Sequence, residues 1–134
     1  DARYQNAVLK SGNTNVSVDG NKIEAVPNWI SRNGATVKYG IFSLSALYSY
    51  TSESFADALN TVQPNASASA GIVPGYQLLD MNIALKFSDK LKLQLNVSNL
   101  FDESYFTKRP QFYPGPGIWP SDGRTFSATV SLKM

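Results

Sequence analysis

The chain has no cysteine and no histidine among its 134 residues. Disulfide frameworks, thiol chemistry, zinc sites and any His-based catalytic dyad or triad are thereby excluded within it. Charge of one sign is also scarce. Twelve Lys and Arg oppose ten Asp and Glu, a formal net charge of +2, and the basic residues are scattered. No stripe of the kind that binds nucleic acid is present. No apolar run approaches the ~20 residues of a membrane-spanning helix. The first ten residues, DARYQNAVLK, lack the apolar core of a signal peptide. A start at Asp1, with neither leader nor Met, reads as a processed product, a split chain or an excised fragment. No segment combines a helical period with caps, which leaves an all-β chain.

What is present is period two. In RTFSATVSLKM the residues Phe126, Ala128, Val130, Leu132 and Met134 alternate with Thr125, Ser127, Thr129, Ser131 and Lys133. LKLQLNVSNLF sets Leu91, Leu93, Leu95, Val97 and Phe101 against Lys92, Gln94, Asn96 and Ser98. YQLLDMNIALKF sets Leu79, Met81, Ile83, Leu85 and Phe87 against Asp80, Asn82, Ala84 and Lys86. FSLSALYSY sets Phe42, Leu44, Ala46, Tyr48 and Tyr50 against Ser43, Ser45 and Ser49. SRNGATVKY follows with Ala35, Val37 and Tyr39 against Gly34, Thr36 and Lys38, and DARYQNAVL reads as the remnant of one more strand. Alternation of this kind predicts strands with unlike environments on their two faces.

The connections alternate too. Tight ones are expected at Gly40-Ile41 and Ser88-Asp89-Lys90, and long ones at SGNTNVSVDGNKIEAVP, DALNTVQPNASASAGIVP and TKRPQFYPGPGIWPSDG. Loops beyond ~12–15 residues are uncommon in compact soluble domains. Short turns at one end of antiparallel strands and long loops at the other match an outer-membrane barrel. The polar faces are mostly Ser, Thr, Asn and Gln. The apolar faces end in aromatics: Tyr39, Phe42 and Phe87 near the short turns, and Tyr48, Tyr50, Phe101, Tyr105 and Phe106 toward the long loops. Two aromatic bands are what membrane interfaces select. Each strand offers the ~9–11 residues a tilted crossing needs. A soluble β-sandwich binding module competes with this reading. A β-scaffold hydrolase using paired carboxylates stands third.

The stretch NVSNLFDESYF (Asn96 to Phe106), followed by a loop and GRTFSATVSLKM (Gly123 to Met134), resembles the C-terminal signature of TonB-dependent outer-membrane receptors. The loop YPGPGIWPSDGR, with YTSESFADALNTV and GNKIEAVPNW, is similar to the ferric citrate and related siderophore receptor branch. The resemblance implies an antiparallel transmembrane β-barrel segment, with residues 1–134 as the C-terminal part. It would supply the end of one strand and five complete ones, about six of the roughly 22 in a plugged transporter barrel. The plug and earlier strands would lie outside this chain. Also implied are a multi-pass position in the bacterial outer membrane and TonB-dependent uptake of an iron chelate, ferric citrate or a siderophore. The same fold importing a glycan, cobalamin or haem is the alternative. The implied partners are the rest of the receptor, a TonB-type energy-coupling protein through the absent N-terminal part, outer-membrane lipid and the ferric chelate. Enzymatic chemistry, a cofactor, a bound metal and nucleic acid are not part of the expectation. The long loops would then be extracellular, and RTFSATVSLKM would run toward the periplasm. The family usually ends in an aromatic residue. Met134 departs from that while keeping the apolar register.

Candidate ligand residues are Lys108, Arg109, Tyr113 and Trp119 in the last long loop, and Arg124 at the head of the last strand. Cations at a barrel mouth raise the local concentration of an anionic chelate, and Arg offers carboxylates a planar fork. Against this stand ordinary loop solvation and, for Arg124, anchoring of the loop-to-strand junction. Asn99, Phe101 and Asp102 read as turn anchors. Asp80, on a lumen-facing polar side, is expected to pair with a cation of the plug or of a neighbouring strand. The glycosylation patterns at Asn15, Asn65 and Asn96 carry no weight in a bacterial outer-membrane protein.

Overall fold

In the computed structural model, residues 1–113 and 115–133 are described, Ser11 by its backbone alone. The lipid-facing register expected of Met134 therefore lies outside the described residues. The strands are β1 (Val8–Ser11), β2 (Thr14–Ser17), β3 (Ile30–Tyr39), β4 (Phe42–Thr51), β5 (Ser54–Phe55) and β6 (Ile72–Val73). They continue as β7 (Tyr76–Lys86), β8 (Leu91–Ser98), β9 (Phe106–Lys108), β10 (Trp119–Pro120) and β11 (Thr125–Leu132). The chain divides into two compact units.

One unit comprises Ser31–Tyr50, Gln77–Ser104 and Asp122–Met134. Its five long strands form one sheet in the order β11-β8-β7-β4-β3, each beside its predecessor among the long strands. Register makes the two faces explicit. Phe126, Val97 and Met81 form one apolar row across three strands, Ala128, Leu95 and Ile83 the next, and Val130, Leu93 and Leu85 a third. The intervening rows are Ser127, Asn96 and Asn82; Thr129, Gln94 and Ala84; and Ser131, Lys92 and Lys86. On the polar side Asn82 donates to Asn96, Asn96 donates to Ser127 Oγ at 3.1 Å, and the Thr36 and Ser45 hydroxyls meet at 2.9 Å. Leu47 is an exception, packing beside Gly34 with the place of a Gly34 Cβ 3.5 Å from its methyl carbon.

Turn chemistry sets the tight connections. Gly40, at φ +55°, begins the two-residue link from β3 to β4, where a side chain would be strained. Between β7 and β8, Ser88 Oγ accepts the backbone N–H groups of Lys90 and Leu91 at 3.2 and 3.1 Å. The apolar face of this sheet is largely uncovered: Phe126 is 72 % exposed, Val130 68 % and Tyr39 85 %. Such a face finds its favourable surroundings in hydrocarbon.

The other unit comprises Asp1–Ile30, Thr51–Tyr76 and Tyr105–Ser121. The sequence leaves these stretches as a strand remnant and long loops. They carry three short antiparallel pairs instead: β1 with β2, β5 with β6, and β9 with β10. DARYQNAVL does not join the five-stranded sheet; Val8 and Leu9 fold back to pair with Ser17 and Val16. Gly12, at φ +59°, makes that reversal possible. The small core here includes Val18 and Val73, both almost fully buried. Tyr105 stacks on Tyr76 with ring centroids 4.4 Å apart, and Phe106 lies under the Arg109 guanidinium.

Candidate ligand-binding loops

Four of the five candidate residues sit on or beside the β9–β10 ribbon. Lys108 closes β9, pairs in register with Trp119 of β10, and is exposed. Trp119 is half exposed, and Tyr113 projects almost wholly into solvent. Arg109 is held differently. Its Nε donates to the Ile72 carbonyl and its Nη1 to the Ala68 carbonyl, both at 3.0 Å. Its guanidinium carbon lies 4.7 Å from the Phe106 ring centroid, within cation–π range. Arg109 thus ties the last loop to the segment around β6, and two of its donors are committed to backbone.

A cavity of about 570 Å³ opens in the same unit, lined by Glu24, Asp57, Thr61, Arg109, Gln111 and Phe112 among others. Asp57 is an organising residue that sequence reading missed. Its Oδ1 accepts the backbone N–H of Leu59 at 3.0 Å, the N–H of Thr61 at 3.3 Å and the Thr61 hydroxyl at 3.0 Å. The side chain is buried and its Oδ2 has no partner among the described residues. An Asp two residues before a bonded N–H is a local turn signal, but its burial comes from chain segments distant in sequence. Glu24 receives the Tyr4 phenol, and that bond leads the causes that raise the phenol above its ordinary value of 10.0.

Arg124 belongs to the sheet unit and to a chain of contacts that gives the Asn96–Phe106 stretch its physical meaning. Asn99 and Asp102 both adopt left-handed backbone, at φ +51° and +57°, which short polar side chains tolerate best. The Asn99 amide bonds Glu103 twice, donating to its carbonyl and accepting its N–H, each at 2.9 Å. Asp102 Oδ1 accepts the Arg124 N–H at 2.8 Å, while Arg124 Nη1 donates to the Leu100 carbonyl at 3.3 Å. A side chain on Gly123 would place its Cβ 3.0 Å from Asp102 Oδ1, tighter than most real contacts. Asp80 accepts the Asn99 backbone N–H at 2.9 Å, because the left-handed turn leaves that donor facing β7. Phe101 makes no part of this network and is 68 % exposed.

Groups of three or more Asp or Glu that could hold a metal ion do not occur among the described residues. The loops offer cations, aromatic surface and a cavity.

The comparisons with known proteins agree with this architecture. A family model for the TonB dependent receptor-like β-barrel matches residues 1–100. It ends inside the Asn96–Phe106 stretch. The ferric citrate transporter FecA, in its unliganded form, superposes with a TM-score of 0.78 at 30 % identity, covering 86 % of this chain and 18 % of FecA. The siderophore receptor PiuA from Acinetobacter baumannii gives 0.76 at 22 % identity over 95 % of this chain and 17 % of its own. The ferric-catecholate import receptor Fiu from E. coli K12, in its open form, gives 0.66 at 22 % identity, covering 79 % of this chain and 15 % of Fiu. The chain therefore spans less than a fifth of these solved relatives. The family's members are outer-membrane receptors and transporters rather than enzymes. With three quarters of its length under the family model and an all-β antiparallel fold shared with these receptors, the chain belongs to the TonB-dependent receptor β-barrel family.

Proposed function

We propose that this chain is the C-terminal barrel wall of a bacterial outer-membrane receptor that takes up an iron chelate, with ferric citrate the first candidate. The observation that supports the cargo is the 30 % identity to the ferric citrate transporter over most of the chain. In this reading the apolar rows of the sheet meet lipid and the polar rows face inward. The long connections lie on the extracellular side. The remaining strands, a plug and a TonB-type coupling protein complete the machine, and energy-coupled rearrangement of the plug releases the cargo.

Ferric citrate is an anion rich in carboxylates. Lys108 contributes an exposed charge that draws it in, and Trp119 beside it contributes surface. Arg109 shapes the loop through its carbonyl bonds and lines the cavity. Tyr113 and Arg124 complete the candidate set, Arg124 mainly by fixing the junction between loop and β11. The test is uptake of radiolabelled iron by cells whose only ferric chelate receptor carries this chain. Uptake with ferric citrate, abolished by loss of the coupling protein, supports the reading. Uptake of haem, cobalamin or a glycan in place of ferric citrate, each followed by its own label, would transfer the fold to another nutrient.

A further inference from the structure

The cavity lined by Arg109 and Asp57 holds one acceptor that the chain does not use. Asp57 is 9 % exposed. Its Oδ1 takes three donors of its own turn, the N–H groups of Leu59 and Thr61 and the Thr61 hydroxyl. Its Oδ2 is buried and has no partner among the described residues. Buried polar atoms are nearly always paired, so an orphan oxygen on a residue of the cavity wall is an acceptor open to a ligand. Three bonds on Oδ1 hold the carboxylate still, which makes the acceptor preformed.

Charge and size select the donor. Glu24 and Asp57 give the wall two carboxylates against one cation, Arg109. The Arg109 guanidinium is itself engaged by the Ile72 and Ala68 carbonyls and the Phe106 ring. A cationic group is therefore favoured here over an anionic one. At about 570 Å³ the cavity has the volume of a small-molecule pocket, far larger than a single ion needs. Leu9, Leu59 and Phe112 supply apolar wall for a carbon chain behind the charge. We infer that this cavity takes the primary alkylammonium group of an iron chelate, which donates an N–H to Asp57 Oδ2. Amine-bearing chelates thereby become a second class of cargo beside ferric citrate, which has no amine. The inference rests on the iron-chelate reading above.

The experiment titrates the intact receptor with two probes that differ by one charge. One is the ferric complex of a linear trihydroxamate ending in a free primary amine, and the other is the same complex with that amine acetylated. The amine form should bind at least about tenfold more tightly, the contribution of one charge-assisted hydrogen bond. Asp57→Asn keeps an acceptor oxygen for Leu59 and Thr61 and puts donors where Oδ2 was. It should bind both forms alike, with the affinity of the parent for the acetylated one. If Asp57→Asn binds neither form, Glu24→Gln makes the same comparison from outside the turn and should narrow the preference. Equal affinity of the parent for the two forms, or binding of neither, overturns the proposal. So does an amine preference that survives both substitutions. Ferric citrate titrated in parallel separates the readings. Citrate bound without an amine preference defeats only the cavity, whereas a receptor that binds none of the three probes defeats the chelate reading itself.

Discussion

Asp80 on β7 and Asn99, the residue that follows β8, are joined by a 2.9 Å bond from the Asn99 backbone N–H to Asp80 Oδ1. It fixes the left-handed residue that begins the turn, and Asn99 then fixes Glu103 through its own amide. Asn99 is 5 % exposed, so a donor stripped of its acceptor there stays dry. Asp80→Ala should cost about 1–3 kcal/mol, the penalty of a buried unsatisfied group. Asp80→Asn, which keeps an acceptor oxygen, should cost less. Heat-modifiable barrel yield of the complete receptor ranks the two, and equal yields would remove Asp80 from the account of the turn.

The facing of the sheet is testable by charge. Ile83→Arg, Leu95→Arg and Val130→Arg lie in the apolar rows. An Arg near the bilayer midplane on the lipid side costs ~2–4 kcal/mol. Gln94→Arg and Ser127→Arg lie in the polar rows and should be tolerated better. Equal loss of assembled barrel from both sets would mean that the faces are misassigned.

Binding at the loops should separate charge from shape. Lys108→Gln should weaken ferric citrate binding at low salt, with the deficit shrinking as salt rises, because exposed charges are screened over ~10 Å at 0.1 M. Arg109→Gln should weaken it at every salt concentration, since two carbonyls lose their donor and the loop its tie to β6. Trp119→Ala should also be insensitive to salt. Ligand titrations of the intact receptor at two salt concentrations read all three. A salt-independent Lys108→Gln would make that lysine a contact and not an attractor.

Alone in water the chain should not form a stable monomer. No large side chain among the described residues is less than 2 % exposed, and the sheet keeps an uncovered apolar face. Five strands also fall short of the ~8 that close the smallest membrane barrels, so β3 and β11 keep open edges. Gel filtration and circular dichroism of the isolated chain should show aggregate or unfolded material. A cooperative soluble monomer would sink the membrane assignment.

The Tyr4–Glu24 bond gives a pH dependence of known sign. The phenol pKa is raised in the folded state, first by that hydrogen bond and then by burial and the Glu24 charge. Its contribution is therefore full below the unfolded value of about 10 and is lost as pH rises through the folded one. Tyr4→Phe should remove this alkaline step and lower stability at neutral pH, where the bond to Glu24 is fully made. Phenolate absorbance of variant and parent receptors, titrated in parallel, supplies the check. A titration difference centred below the ordinary phenol value would reverse the sign.

Period two in five segments was enough to set the strands, their two faces and the tight turns, because alternation is a local consequence of the extended backbone. The same strands carried the family signature, but not its cause. That Asn99 must be left-handed, that Asp80 holds it and that Asp102 holds Arg124 depend on three segments meeting, and no local pattern encodes the meeting. DARYQNAVL alternated too weakly to show whether it would extend the sheet. Gly12 and the partner Thr14–Ser17 decided that it folds back. In the long connections, polar composition announced loops and concealed the β5–β6 and β9–β10 pairs, whose strands are two or three residues long. Lys108 and Arg109 are neighbours in sequence with one charge each, and only the tertiary structure separates their roles. One side chain reaches two carbonyls around β6, while the other remains in solvent, because burial and hydrogen-bond partners are set by segments that the local sequence does not contain.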